Sequence, residues 1–169
     1  MNQLLVLFIA VPFLAFLATL IWQNKSEKAI NSIVQFAKLF NILIAIFFIA
    51  WWIANGLEPI SHKLVTLYQT EHFVFAIHLY YDEVTAVFSI VGSVLFYLVA
   101  TFSKYYMHRD EGFKRFFNTI LLFSTAFNFI ILAGNFETLF IGWEVKGICS
   151  FILISFYRNR YLPVKNAYK

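Results

Sequence analysis

The stretch Phe136-Glu-Thr-Leu-Phe-Ile-Gly-Trp-Glu-Val-Lys-Gly-Ile-Cys-Ser-Phe-Ile-Leu-Ile-Ser-Phe-Tyr157 decides the fold class. As a helix rising about 1.5 Å per residue, it is long enough to cross a hydrocarbon core of about 30 Å. Working outward, Gly134-Asn135 leaves room only for a tight turn, and residues 116–133 before it form another apolar run. Three more runs precede it, at 84–102, 36–54 and 4–22. Five such spans predict an all-α membrane protein, with 1–169 a single membrane domain lacking any repeat, low-complexity tract or linker. Pro12 falls inside the first span, where it should kink the helix. Membranes tolerate this when a neighbour satisfies the freed carbonyl. Lys38 stands near the start of the second span, placed to reach toward headgroups, and Trp51 and Trp52 at its end suit an interfacial belt.

Composition points the same way. Of 169 residues, 61% are hydrophobic, 21% aromatic and only 13% charged, against about 25% charged in ordinary globular chains. Nine acids and thirteen bases are too few to cover a water-facing surface, and the mean hydropathy of +0.73 points to lipid as the solvent. The net charge of +4 does not point to nucleic acid, because the bases lie in the gaps between apolar runs and form no stripe. Cys149 is the sole cysteine, which excludes an internal disulfide and a cysteine-based zinc cluster. The Met-Asn-Gln start lacks the positive n-region of a secretory signal and reads as the beginning of a retained helix.

The bases also orient the chain. Lys25, Lys28, Lys104, Arg109, Lys114, Arg115, Arg158, Arg160, Lys165 and Lys169 fall on one side of the spans, and Lys63 alone on the other. Ten against one predicts the N-terminus outside and the C-terminus inside, in a bacterial plasma membrane or, for an organellar chain, the inner mitochondrial membrane. The outer loop 55–83 is the only long one. Its segment His72-Phe-Val-Phe-Ala-Ile-His-Leu-Tyr-Tyr81 suits a strand, pairing with residues near 60–68 in a small external β-hairpin.

Chemistry concentrates in the last span. Glu144 and Lys146 lie within a turn of its midpoint, too deep to reach water along the helix. A charge at mid-membrane costs at least about 2.5–3.5 kcal/mol, so such groups face protein or water and carry function by default. At i and i+2 the two are about 200° apart and cannot pair with each other, so each needs a partner on another helix. Asn118, Thr125 and Asn128 share one face of the fourth span, and Thr85, Ser89, Gly92 and Ser93 line the third. Both sets read first as helix packing and interhelical hydrogen bonding, with a hydrated proton path as the alternative. Asp82 and Glu83 are placed to cap the third helix. His62, His72, His78 and His108 read as solvated rather than ligating. No phosphate-cradling loop or nucleophile elbow is present, and no cofactor is expected in this chain.

Against that reading, Tyr81-Asp-Glu-Val-Thr-Ala-Val-Phe, Thr101-Phe-Ser-Lys-Tyr-Tyr-Met-His-Arg-Asp110, Phe116-Phe, Leu122-Phe and above all Phe140-Ile-Gly-Trp-Glu-Val-Lys-Gly-Ile-Cys-Ser-Phe-Ile-Leu-Ile154 resemble the antiporter-like membrane subunits. These are the L subunit (subunit 5) of NADH:quinone oxidoreductase and the large subunit of multisubunit Na+/H+ antiporters. The resemblance runs from about residue 70 to the end. It implies that residues 1–115 are the family's N-terminal region and 116–169 the start of its proton-translocating domain, so that the chain corresponds to an N-terminal fragment. It further implies that Glu144 matches the family's fifth-helix glutamate, which works with a lysine from a later broken helix. Lys146 departs from the family pattern and is expected to tune or relay. The implied partners are other membrane subunits and the lipid bilayer, without nucleic acid; the chain itself would catalyse no redox step and serve as a proton-pumping subunit. Two other readings stay open: the membrane subunit of an energy-coupled inorganic-carbon uptake system, and a non-transporting scaffold.

Overall fold

The computed structural model describes residues 4–22, 26–70 and 74–168; Lys25, His72 and Lys169 lie outside them. The described residues form five long helices, α1 (Leu5–Ile21), α2 (Glu27–Ala54), α3 (Glu83–Tyr106), α4 (Phe113–Ile131) and α5 (Phe136–Ile154). An antiparallel hairpin, β1 (Ile60–Gln69) with β2 (Val74–Tyr81), lies between α2 and α3, and a short α6 (Tyr161–Ala167) follows α5. The fold is mostly helical, and α2 and α3 are long and apolar enough to cross a membrane.

α4 sits at the centre, packed against α1, α2, α3 and α5. On α2 the buried positions Ile30, Val34, Ala37, Asn41, Ala45, Phe48 and Trp52 recur every three or four residues, the spacing of one helix face. This face begins well before residue 36. Ser26 is extended and the helix starts at Glu27, so the helix that carries the apolar run 36–54 extends back to residue 27. Lys38 is therefore not at the helix start but well inside it, and buried.

Pro12 explains a contact between α1 and α4. A proline at position 12 removes the N–H that would bond the Phe8 carbonyl one turn earlier. The Asn128 side-chain amide on α4 donates to that carbonyl instead. Both residues are buried, so the donor lost inside one helix is replaced by a bond between two.

One end of the bundle is closed by the hairpin. Tyr80 N–H donates to Leu132 O at 2.8 Å, and Gly134 N–H to His78 O at 2.8 Å, so the α4–α5 turn adds onto β2. The turn needs glycine, since a Cβ on Gly134 would stand 2.3 Å from His78 Nδ1. Asn135 Nδ2 donates to Ala76 O at 2.7 Å, and His78 N–H to Thr138 Oγ1 at 2.9 Å. Tyr81 fills the space beneath, its ring 4.6 Å from Phe48 and 5.6 Å from Trp52 between centroids, and burial pushes its phenol up to about 12. Trp52 is thus a core residue rather than an interfacial one; its indole N–H donates to Glu58 O at 2.7 Å. Asp82 caps α3 by accepting from Thr85 N–H and Thr85 Oγ1–H, each at 2.8 Å.

The opposite end holds Lys28, Lys104, Arg109, Lys114, Arg115, Arg158 and Arg160. Lys114 Nζ donates to Leu20 O at 3.1 Å and Trp22 O at 2.7 Å, where the last carbonyls of α1 and its dipole favour a cation. Glu27 joins α2 to the α3–α4 connection, meeting His108 Nδ1 at 2.7 Å and accepting from Arg109 N–H at 2.9 Å. Arg115 Nη2 donates to Phe156 O at 2.8 Å, tying the start of α4 to the end of α5.

Candidate functional site

α5 is positioned by its first turn and by one close contact. Asn135 caps it, its Oδ1 accepting from Thr138 N–H at 3.1 Å. Only Thr138, Gly142 and Cys149 are buried along the helix, a single narrow stripe against α4. At Gly142 an added Cβ would stand 2.9 Å from Phe129 Cβ and from Ile130 Cγ1, and 3.0 Å from Ile130 N. Glycine is therefore what lets the two backbones approach this closely.

Glu144 lies one residue from the middle of α5. At 100° per residue it points roughly 140° away from the packed stripe, and Lys146 about 60° away from it. Both are exposed, as is neighbouring Trp143. The structure does not bring them together, and among the described residues neither makes a hydrogen bond or an ion pair. Lys146 instead borders a groove of about 450 Å³ whose other walls are apolar residues of α3, α4 and α5, among them Phe96, Phe123 and Leu153. Glu144 faces outward on the open side of α5.

The polar residues of the third and fourth spans point inward instead. Thr85, Ser89, Ser93, Asn118, Thr125 and Asn128 are all buried. Thr85 Oγ1 donates to Ile131 O at 3.0 Å between α3 and α4, while Ser89 and Thr125 bond carbonyls of their own helices, Ala86 O at 2.8 Å and Leu121 O at 2.9 Å. Gly92 lies against the Phe127 ring, which occupies the place a Cβ at position 92 would take. These residues hold the bundle, and none of their hydrogen bonds goes to Glu144. His78 meets Ser61 Oγ at 2.9 Å through Nε2, and His108 pairs with Glu27.

One charged group that the sequence places toward the headgroups is instead buried in the bundle. Lys38, 1% exposed, donates from Nζ to Ser124 Oγ on α4 and lies 5.0 Å from the centroid of the Phe96 ring on α3. Its signal was the polar face Asn31, Gln35, Lys38 and Asn41, which extends the helix backward past residue 36.

The arrangement defines an integral membrane chain whose central helix is packed on all sides and whose last long helix offers a mid-length carboxylate to the outside. Residues 67–117 match the family model described as NADH-Ubiquinone oxidoreductase (complex I), chain 5 N-terminus. NADH-quinone oxidoreductase subunit L of Rickettsia bellii is 30% identical over 170 residues, covering 99% of this chain and 26% of that protein. The subunit L of Escherichia coli K12 is 27% identical, covering 92% of this chain and 25% of that protein. The chloroplastic NAD(P)H-quinone oxidoreductase subunit 5 of Marchantia polymorpha is 28% identical, covering 89% and 23%. A chain of the membrane-bound sulfane sulfur reductase, an archaeal respiratory membrane complex, shares the fold with a TM-score of 0.77 at 20% identity, over 98% of this chain and 33% of that one. The chain belongs to the antiporter-like membrane subunit family and carries its N-terminal region. It spans about a quarter of the length of the curated relatives it matches.

Proposed function

We infer that the chain forms the N-terminal part of a proton-translocating membrane subunit, with Glu144 as a proton-transfer group and Lys146 as its tuning or relaying neighbour. The observation that carries this is the placement of Glu144 at mid-helix on the open face of α5, away from α4 and without a hydrogen-bond or ion-pair partner among the described residues. A carboxylate there is costly unless other helices or water meet it. Relatives extend well beyond the matched part, which supports completion of the site by further helices. In this reading α1 to α5 all cross the membrane, with the hairpin outside and the basic end inside. Residues 1–115 then precede the translocating domain, which starts at 116. The partners are other membrane subunits of a respiratory-type assembly. The subunit binds no redox centre of its own and moves a proton between Glu144 and the group that faces it.

A lipid-soluble carbodiimide tests the site, because it reacts with protonated carboxyls inside a membrane. Labelling should occur at Glu144 and vanish in Glu144→Gln. Labelling of other carboxyls with Glu144 untouched would contradict the assignment. Side-specific thiol labelling tests the orientation in a Cys149→Ser background. His62→Cys and Arg109→Cys should react from opposite faces, and reaction of both from one face would overturn the five-span arrangement.

A further inference from the structure

A row of polar side chains runs along one face of α2 from the basic end to mid-membrane: Asn31, Gln35, Lys38 and Asn41, at intervals of four, three and three residues. Asn31 borders a cavity of about 560 Å³ at the basic end, together with Glu27, Lys28, Lys104, Tyr105, His108 and Phe113. Deeper in, Gln35 Oε1 accepts from Thr101 Oγ1 on α3 at 3.2 Å, and Lys38 donates to Ser124 on α4. Three atoms of this row are buried and have no protein partner: Asn31 Oδ1, Gln35 Nε2 and Asn41 Oδ1. Asn118 Oδ1 on α4 is in the same condition. Buried amides are nearly always hydrogen-bonded, to protein or to ordered water. Several unpaired ones in file, with a cavity at one end and an ammonium at the other, are the pattern of a narrow hydrated path.

Lys38 reinforces that reading. From α3 it faces the Phe96 ring and from α4 the Ser124 hydroxyl, and no carboxylate among the described residues pairs with it. An unpaired buried lysine is stable only if water reaches it or if it gives up its proton. Eleven residues into α2, it lies about 16 Å along the helix axis from Glu27, a distance the polar row bridges.

We propose that the α2 face Asn31–Gln35–Lys38 is a water-filled access path from the basic end, through which the Lys38 amine exchanges protons with that side of the membrane. The step balances simply. The Lys38 ammonium passes one proton to a path water, the proton leaves by relay through the cavity at Asn31, and the reverse transfer restores the ammonium, with Ser124 Oγ accepting from Nζ in that charged form. The path is separate from Glu144: none of Asn31, Gln35 and Lys38 lines the groove that Lys146 borders, and none is hydrogen-bonded to Glu144. It therefore stands or falls independently of the role given to Glu144.

Thiol accessibility in vesicles tests it, in the full chain with Cys149→Ser. A membrane-impermeant cationic methanethiosulfonate added from the basic end should modify Asn31→Cys and Gln35→Cys at least about tenfold faster than Phe36→Cys, which lies at the depth of Gln35 but on the outer, apolar surface. Reagent added from the hairpin end should leave both unmodified. Gln35→Cys reacting no faster than Phe36→Cys, or equally from the two ends, overturns the path. Water-edited solid-state NMR on the unsubstituted chain gives a second measurement free of any folding defect. Magnetisation from water should reach the Gln35 amide and Lys38 Nζ as readily as it reaches Lys28, and its absence at Lys38 overturns the proposal.

Discussion

α4 and α5 are the same length, joined by one tight turn, and both are rich in apolar residues, yet they are used in opposite ways. α4 buries ten of its nineteen residues, including Asn118, Thr119, Ser124, Thr125 and Asn128. α5 buries three. The polar groups of α4 are structural: Asn128 completes the Phe8 carbonyl that Pro12 leaves open, and Ser124 receives Lys38. On α5, Glu144 faces away from the bundle and Lys146 lies at the edge of the groove between α3 and α4. In lipid, packing and interhelical hydrogen bonds hold helices together, because the tails are as apolar as the side chains. A helix with one narrow seam and a mid-length charge on its far side leaves most of its surface unpacked within the bundle, which is what the proposed role of Glu144 requires.

The seam is the most sensitive point. Gly142→Leu forces a side chain against the backbone of Ile130 and should cost about 1–3 kcal/mol, read by denaturant unfolding in detergent micelles. A neutral result would mean that α4 and α5 are not held at this distance. Asn135→Ala removes the cap of α5 together with the bond to Ala76, and should cost about 0.5–2 kcal/mol by the same measurement. Its loss should be accompanied by faster amide exchange at His78 and Thr138, the residues that join the turn to β2.

Asn128→Leu should cost about 1 kcal/mol, as a single interhelical hydrogen bond does. The double-mutant cycle with Pro12→Ala sharpens this. Alanine at position 12 restores the helical donor to Phe8 O, so Asn128→Leu should then cost clearly less. Equal costs in both backgrounds would show that Asn128 does not act through that carbonyl. The smallest effect belongs to Glu144→Gln, which should change stability by less than about 0.5 kcal/mol because no described residue is hydrogen-bonded or ion-paired with the exposed carboxylate. A large loss would place Glu144 inside the α4–α5 packing and erase the contrast between the two helices.

Much of this was legible from residue order. Gly134-Asn135 marked the turn, the β-branched and aromatic run after His72 marked β2, and Asp82 marked the start of α3. Pro12 announced that its freed carbonyl would need a donor from another helix. Lys38 and Trp52 were misplaced for a common reason. A window of apolar residues reports what lipid tolerates, but a helix start depends on Ser26-Glu27, and the burial of a lysine depends on a serine 86 positions later in the chain. Trp52 likewise has the composition of an interface residue until Tyr81 and the Glu58 carbonyl close over it. For Glu144, the sequence gives its depth along the helix, while its direction follows from Gly142, which fixes the face that meets α4.

The central claim is that Glu144 is a proton-transfer group on the open face of α5. Its most direct test is proton flux in vesicles carrying the complete assembly, with Glu144→Gln and Lys146→Met compared at equal assembly. Glutamine preserves shape and hydrogen bonding but does not titrate, and methionine preserves length without charge. The account predicts that Glu144→Gln abolishes most of the flux while the assembly stays intact, and that Lys146→Met alters its rate or pH dependence. Undiminished flux in Glu144→Gln together with its loss in Lys146→Met would contradict the assignment and make Lys146 the proton carrier.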